Sequence, residues 1–215
     1  ILTDFGKDEY VLGALAGLLI AIAFVAPGLR GLSRPLLLGL GTRLQFLFLA
    51  VAISNLVTEV LKWGVGRGRP FVGGEANAFN FSHFGWSTAY YSFPSGHATT
   101  AFALAFAVSA VWPSARVAMA VYALIIAATR LVLLAHHPSD VVAGALVGVV
   151  GAMFVRYWFA ARRLGFAIQR DGKLVIAGVA GERGDGEAVA LARHLPGTCS
   201  VPRLLGRTLA SARKL

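Results

Sequence analysis

The sequence predicts an all-α integral membrane protein: a bundle of apolar helices followed by a small basic tail. The first observation is composition. Of 215 residues 57% are hydrophobic and only 14% charged, with mean hydropathy +0.69. A soluble domain is nearer half apolar and a quarter charged. The second is five apolar runs, judged against the roughly 20 residues that cross a bilayer. The third is the sorting of charge between loops. The net charge is +10, from 20 Lys and Arg against 10 Asp and Glu. In a soluble chain this would suggest nucleic acid. With this apolar content, anionic lipid and cytoplasmic anchoring account for it, and no nucleic-acid partner is expected. The single cysteine, Cys199, excludes an intrachain disulfide and a multi-cysteine metal site.

The expected spans are about 10–26, 43–62, 97–112, 116–134 and 140–160. The chain opens on Ile1 with no signal-peptide pattern, so a start missing or processed upstream is expected. The first span carries Gly13-x-x-x-Gly17 and the last Gly144-x-x-x-Gly148. Such spacing lets helices approach closely, although glycine is also simply common in membrane helices. Arg30, Arg34 and Arg43 fall in the first connection, Arg116 in the Trp112–Arg116 turn, and Arg156, Arg162 and Arg163 at the last span's end. That basic side is the expected cytoplasmic side. The opposite side holds residues 1–9, 63–96 and 135–139, with Asp4, Asp8 and Glu9 against Lys7 at the start. Lys62, Arg67, Arg69 and Arg130 lie at or near outer span ends, against the rule, which calls for a functional explanation.

Asn55, Glu59 and Lys62 share one face of the second span. Glu59 is placed to hold Lys62 or a neighbouring arginine, or to form an interfacial pair. Residues 71–93 form an outer loop rich in aromatics, including Phe71, Phe79, Phe81, Phe84 and Trp86. Aromatic rings favour the headgroup level, so the loop reads either as lying on the membrane surface, where it guides a lipid, or as a loop with ordinary packing contacts. His83 within it is given no role. After residue 163 the composition changes to a tail, residues 164–215. Phe166–Arg170 and Leu174–Val179 flank Asp171-Gly172, a hairpin signal. Glu187–Leu195 reads as a short helix, and Pro202–Leu215 as a basic, partly amphipathic segment, either on the inner membrane surface or as a frayed, solvated tail. Cys199 and His194 are given no chemistry.

Three stretches meet on the outer face: Lys62-x6-Arg69-Pro70, Pro94-Ser95-Gly96-His97 and Arg130-x5-His136-x3-Asp140. Ser95 is a natural N-cap, and the free amides of Gly96 and His97 at a helix start form an anion site. Lys62 is a point charge; Arg69 and Arg130 offer planar forks for two oxygens each. This inventory suits a phosphoryl group, whose transfer depends on positioning and electrostatic stabilisation. One histidine must attack as neutral imidazole and the other protonate the leaving oxygen. Asp140, within reach of His136, favours His136 as nucleophile, though adjacent His137 competes. His97 suits the general acid. Pro138 suits the first helical position, and Asp140 also fits a plain first-turn carboxylate.

These stretches resemble the three signature motifs of the type-2 phosphatidic acid phosphatase superfamily. The match runs through Lys62, Arg69, Pro70, Pro94, Ser95, Gly96, His97, Arg130, His136 and Asp140, with Thr129 in place of the usual serine. The resemblance covers about residues 1–160 and defines a membrane phosphatase domain of residues 1–163. It implies a six-helix bundle, of which five spans are visible here, with a first span upstream of Ile1. It implies a phosphohistidine on His136, His97 as acid, and Lys62, Arg69 and Arg130 on phosphate, with no metal or other cofactor. The implied partner is a lipid phosphate or lipid diphosphate, met at the periplasmic face of a bacterial inner membrane, with the C-terminus cytoplasmic. Which lipid, and the oligomeric state, stay open. Vanadium haloperoxidases share the motifs but are soluble, against five apolar spans. A non-catalytic binder or transporter is the reading from another class.

Overall fold

The computed structural model describes residues 6–31, 33–74, 77–168 and 174–176. The expected Glu187–Leu195 helix, the Pro202–Leu215 segment, Cys199, His194, the Asp171-Gly172 turn and Asp4 lie outside the described residues. Those described include five α-helices: α1 (Asp8–Val25), α2 (Ser33–Val65), α3 (Gly96–Val111), α4 (Arg116–Val132) and α5 (Pro138–Ala161). Two short strands follow, β1 (Phe166–Ile168) and β2 (Leu174–Ile176), paired antiparallel with Phe166 opposite Ile176.

One boundary differs from expectation, and one expected span is short. α2 begins at Ser33, so Arg34 and Arg43 ride on its first turns rather than in a loop. Pro35 does not prevent this, because first-turn amides have no intrahelical acceptor to lose. Its 33 residues span about 50 Å, well beyond the hydrocarbon thickness. Among the described residues four helical segments are long and apolar enough to cross a membrane, formed by α1, α2, α4 and α5 with their flanking turns. α3, the expected third of five spans, has only 16 residues, or about 24 Å. Pro113 stops it, since the residue before a proline is pushed out of the helical region, and Trp112 is so.

α3 sits centrally, packed against α2, α4 and α5. Its buried residues are mostly small, including Ala98, Ala101, Ala103 and Ala107, so neighbouring backbones come close. α5 answers with glycines. A Cβ on Gly144 would run into the Ser95 carbonyl, and one on Gly148 into the Thr99 carbonyl. Around Gly13 and Gly17 there is nothing within 4 Å among the described residues. Of two identical spacings, the one on α5 is a packing surface among those residues. Between α2 and α3, Asn55 bonds Thr100 at 2.9 Å and Thr58 bonds Thr99 at 2.9 Å, satisfying polar groups buried among apolar ones. Near the start of α2 and the end of α5, Phe46 meets Phe159 and Phe166 edge-on at 5.5 and 4.8 Å. β1 thus packs against the helical body through Phe166.

Candidate active site

At its C-terminal end α2 hands the chain to a turn at Gly66, whose amide bonds the Lys62 carbonyl at 2.9 Å. Gly66 has φ +58, and a Cβ there would collide with the Ser82 carbonyl, so only glycine fits. The following residues run between two other parts of the loop. Arg67 bridges Phe81, the Gly68 amide bonds the Asn80 carbonyl at 2.8 Å, and the Arg69 amide bonds the Ala89 carbonyl at 2.9 Å. Phe71, Phe79, Phe81, Phe84 and Trp86 stand exposed around this core of backbone bonds, with Phe84 edge-on to Trp63 at 4.9 Å.

The turn between α4 and α5 is closed at both ends. Leu134 takes φ +50, and the Leu134 and Ala135 amides bond the carbonyls of Leu131 and Arg130 at 3.0 and 3.2 Å. This crossed pair satisfies the last carbonyls of α4, usually with glycine at the left-handed position. Next, His137 and Asp140 form a capping box at the start of α5, with Pro138 in its first turn. The His137 amide bonds Asp140 Oδ2 at 2.9 Å. His136 lies between these two closures, 7% exposed.

His136 Nδ1 lies 2.7 Å from the Ser92 carbonyl oxygen. A carbonyl only accepts, so Nδ1 carries the hydrogen, and in the neutral ring Nε2 keeps its lone pair. Burial, with Arg69 and Lys62 nearby, lowers the His136 pKa to about 4, against opposing pulls from the Ser92 bond and Asp140. The ring is therefore neutral at pH 7. Asp140 Oδ2 is 4.0 Å from Nδ1, beyond hydrogen-bond reach. The expected direct Asp140–His136 hydrogen bond is thus replaced by one to Ser92. Asp140 is fully buried and occupied elsewhere. It accepts from Arg67 Nη1 at 2.6 Å, from the Ser92 hydroxyl at 2.6 Å and from the His137 amide.

One cavity of about 180 Å³ holds most of the remaining chemistry. Asp8, Asn55, Glu59, Lys62, Arg69, Tyr91, Gly96, His97, Arg130, Ala135 and His136 line it. Lys62 Nζ meets Glu59 Oε1 at 2.5 Å. A Cβ on Gly96 would stand 3.1 Å from Lys62 Nζ, so glycine lets the ammonium lie over the start of α3. His97 Nε2 is buried and has no hydrogen-bond partner among the described residues. The arrangement can seat a small oxyanion between three cations, a helix start and two imidazoles.

A family model described as PAP2 superfamily matches residues 43–164, more than half of the chain and every motif residue from Lys62 to Asp140. The chain belongs to the PAP2 superfamily. It is similar to the Lipid A 1-phosphatase of Rhizobium johnstonii, 37% identical over 127 residues, covering 59% of this chain and 52% of the relative. It is also similar to that of Rhizobium etli, 36% identical over 127 residues, covering 59% of this chain and 55% of the relative. The chain thus spans about half the length of the curated relatives it matches. A crystal structure of Aquifex aeolicus LpxE aligns with TM-score 0.45 and 23% identity, covering 69% of this chain and 91% of that one.

Of the PAP2 site residues named from sequence, Lys62, Arg69, Gly96, His97, Arg130 and His136 line one cavity. Ser95 and Asp140 do not line it. Ser95 sits at the N-cap of α3 with extended backbone, but its hydroxyl makes no cap bond and has no partner among the described residues. His137 caps α5, and His83 stacks on Phe81 at 5.8 Å, so neither lines the cavity. Sequence reasoning missed Arg67, Ser92, Tyr91 and Asp8 as parts of the site. Arg67 did carry a signal, an unexplained cation at an outer helix end. Ser92 carried none.

Proposed function

We propose that this PAP2 chain is the catalytic core of a membrane phosphatase that hydrolyses a lipid phosphate monoester or lipid diphosphate through a phosphohistidine. The single observation that carries the reading is His136, neutral, with Nδ1 tied to Ser92, in a cavity shared with Lys62, Arg69, Arg130 and His97. Nε2 attacks phosphorus while the bond to the lipid oxygen breaks, and His97 gives that oxygen its proton. Water then attacks the phosphohistidine, His97 takes its proton, and inorganic phosphate leaves. Lys62, Arg69 and Arg130 stabilise the non-bridging oxygens, joined by the Gly96 amide and the Ser95 hydroxyl. Asp140 acts by holding the turn that carries His136.

The name shared by the two relatives, Lipid A 1-phosphatase, supports a lipid substrate, and lipid A phosphates come first on a panel with phosphatidate, phosphatidylglycerophosphate and undecaprenyl diphosphate. The basic inner loops support a site at the periplasmic face of a bacterial inner membrane, with the C-terminus cytoplasmic. The test is phosphate release from that panel in detergent with chelator present. His136→Ala is expected to abolish release, by on the order of 10⁴-fold or more. Release that needs added metal overturns the mechanism. Lipid binding without turnover, or halide oxidation with vanadate, overturns the assignment.

A further inference from the structure

Ser92, not Asp140, touches the imidazole, and Ser92 is gripped from two directions. Its amide bonds the Arg67 carbonyl at 3.0 Å, and its hydroxyl bonds Asp140 Oδ2 at 2.6 Å. Arg67 closes the ring of contacts. Its Nη1 donates to Asp140 Oδ1 at 2.6 Å and to the Ser139 hydroxyl at 2.7 Å, and its Nε to the Ala78 carbonyl at 2.9 Å. Asp140 is fully buried and its backbone carbonyl also holds the Ser95 amide at 2.9 Å. One arginine therefore fixes the outer loop, the start of α5 and the residue that orients His136.

We propose that Arg67 is a positioning residue for the reaction: through Asp140 it clamps Ser92, so that the Ser92 carbonyl holds His136 with its Nε2 lone pair toward the phosphate. On this account the Asp140 charge balances Arg67 rather than assisting His136 directly. The proposal rests on the phosphohistidine reading above and adds to it a residue outside the cavity.

The two accounts of Asp140 part in one experiment. In Asp140→Asn, the amide oxygen can keep the Ser92 hydroxyl and the His137 amide. Its NH₂ then faces the Arg67 guanidinium, donor against donor. Arg67→Gln offers that NH₂ an acceptor and removes the uncompensated charge. The double variant Arg67→Gln/Asp140→Asn is expected to recover about tenfold or more of the kcat lost in Asp140→Asn alone. KM is expected to change little in either, because Lys62, Arg69 and Arg130 are untouched. ¹⁵N NMR of His136 in the unliganded protein is expected to show the Nδ1–H tautomer in wild type and double variant alike. If the double variant is no more active than Asp140→Asn, while its melting temperature and tautomer match wild type, the negative charge itself is needed and the proposal fails. A tautomer lost in a double variant that melts like wild type overturns it too. Wild type that releases phosphate from no lipid sinks the phosphatase reading instead, and the tautomer measurement still decides the role of Ser92.

Discussion

Arg67 and Arg69 leave α2 two residues apart and end in opposite surroundings. The Arg67 guanidinium packs on a carboxylate with no solvent exposure, beside the Ser139 hydroxyl and the Ala78 carbonyl. Arg69 lines the cavity with Lys62, Arg130 and the two histidines. His136 stands between them, Nδ1 toward the Ser92 side and the cavity along its other side. A buried ion pair holds geometry and answers little to salt; a cation on a cavity wall is available to an anionic ligand. The same residue type thus closes a buried ion pair in one place and lines a cavity in the other.

Substitution should separate the two. Arg67→Ala leaves the Asp140 carboxylate buried without its ion partner, a loss of about 3–5 kcal/mol. A large drop in melting temperature in detergent is expected; an unchanged melt would place Arg67 among the dispensable surface charges. Arg69→Ala is expected to melt like wild type and to lose about 10²- to 10³-fold in kcat/KM. Equal damage to both melts would erase the distinction.

The two glycine spacings give a smaller contrast of the same kind. Gly148→Ala pushes a methyl group into the Thr99 carbonyl and should cost about 1–3 kcal/mol. Gly13→Ala meets open space and should stay within about 0.5 kcal/mol of wild type. Melting curves of the pair decide it. A titration gives the last contrast. His136 has its pKa lowered from 6.5 to about 4, so between those values the unfolded chain binds a proton that the folded chain does not. Its contribution to stability is present above pH 6.5 and is lost as pH falls through about 4. A ¹⁵N titration midpoint near 4 is expected; a midpoint near 6.5 would mean that burial and the neighbouring cations do not act on the ring.

Much of the helical layout was legible because hydropathy over some twenty residues is a property of the local chain. α4 and α5 fall close to their expected bounds, and the hairpin strands lie where Asp171-Gly172 points. The start of α2 was misplaced because arginines were read as loop residues, whereas a helix longer than the bilayer carries them on its own turns. Most of the cavity was legible for another reason. Its cations and imidazoles are costly to keep at helix ends in an apolar chain, so each stood out against its background. Asp140 was legible as a residue but not as a contact, because spacing along the chain does not say which buried donor reaches a carboxylate first.

By itself the sequence determined that this is a bundle of apolar helices, and which charged groups and imidazoles stand at the ends of those helices. Both follow from short-range order, hydropathy along each run and the spacing from one helix end to the next. Only the tertiary structure decided that the Ser92 carbonyl meets His136, that Arg67 pairs with Asp140, and that Gly144 and Gly148 pack while Gly13 and Gly17 meet no neighbour among the described residues. The reason is that a buried polar group must find a partner, and a glycine a neighbour, among residues distant in the chain. Several candidates of the right chemistry compete there, and only packing selects between them.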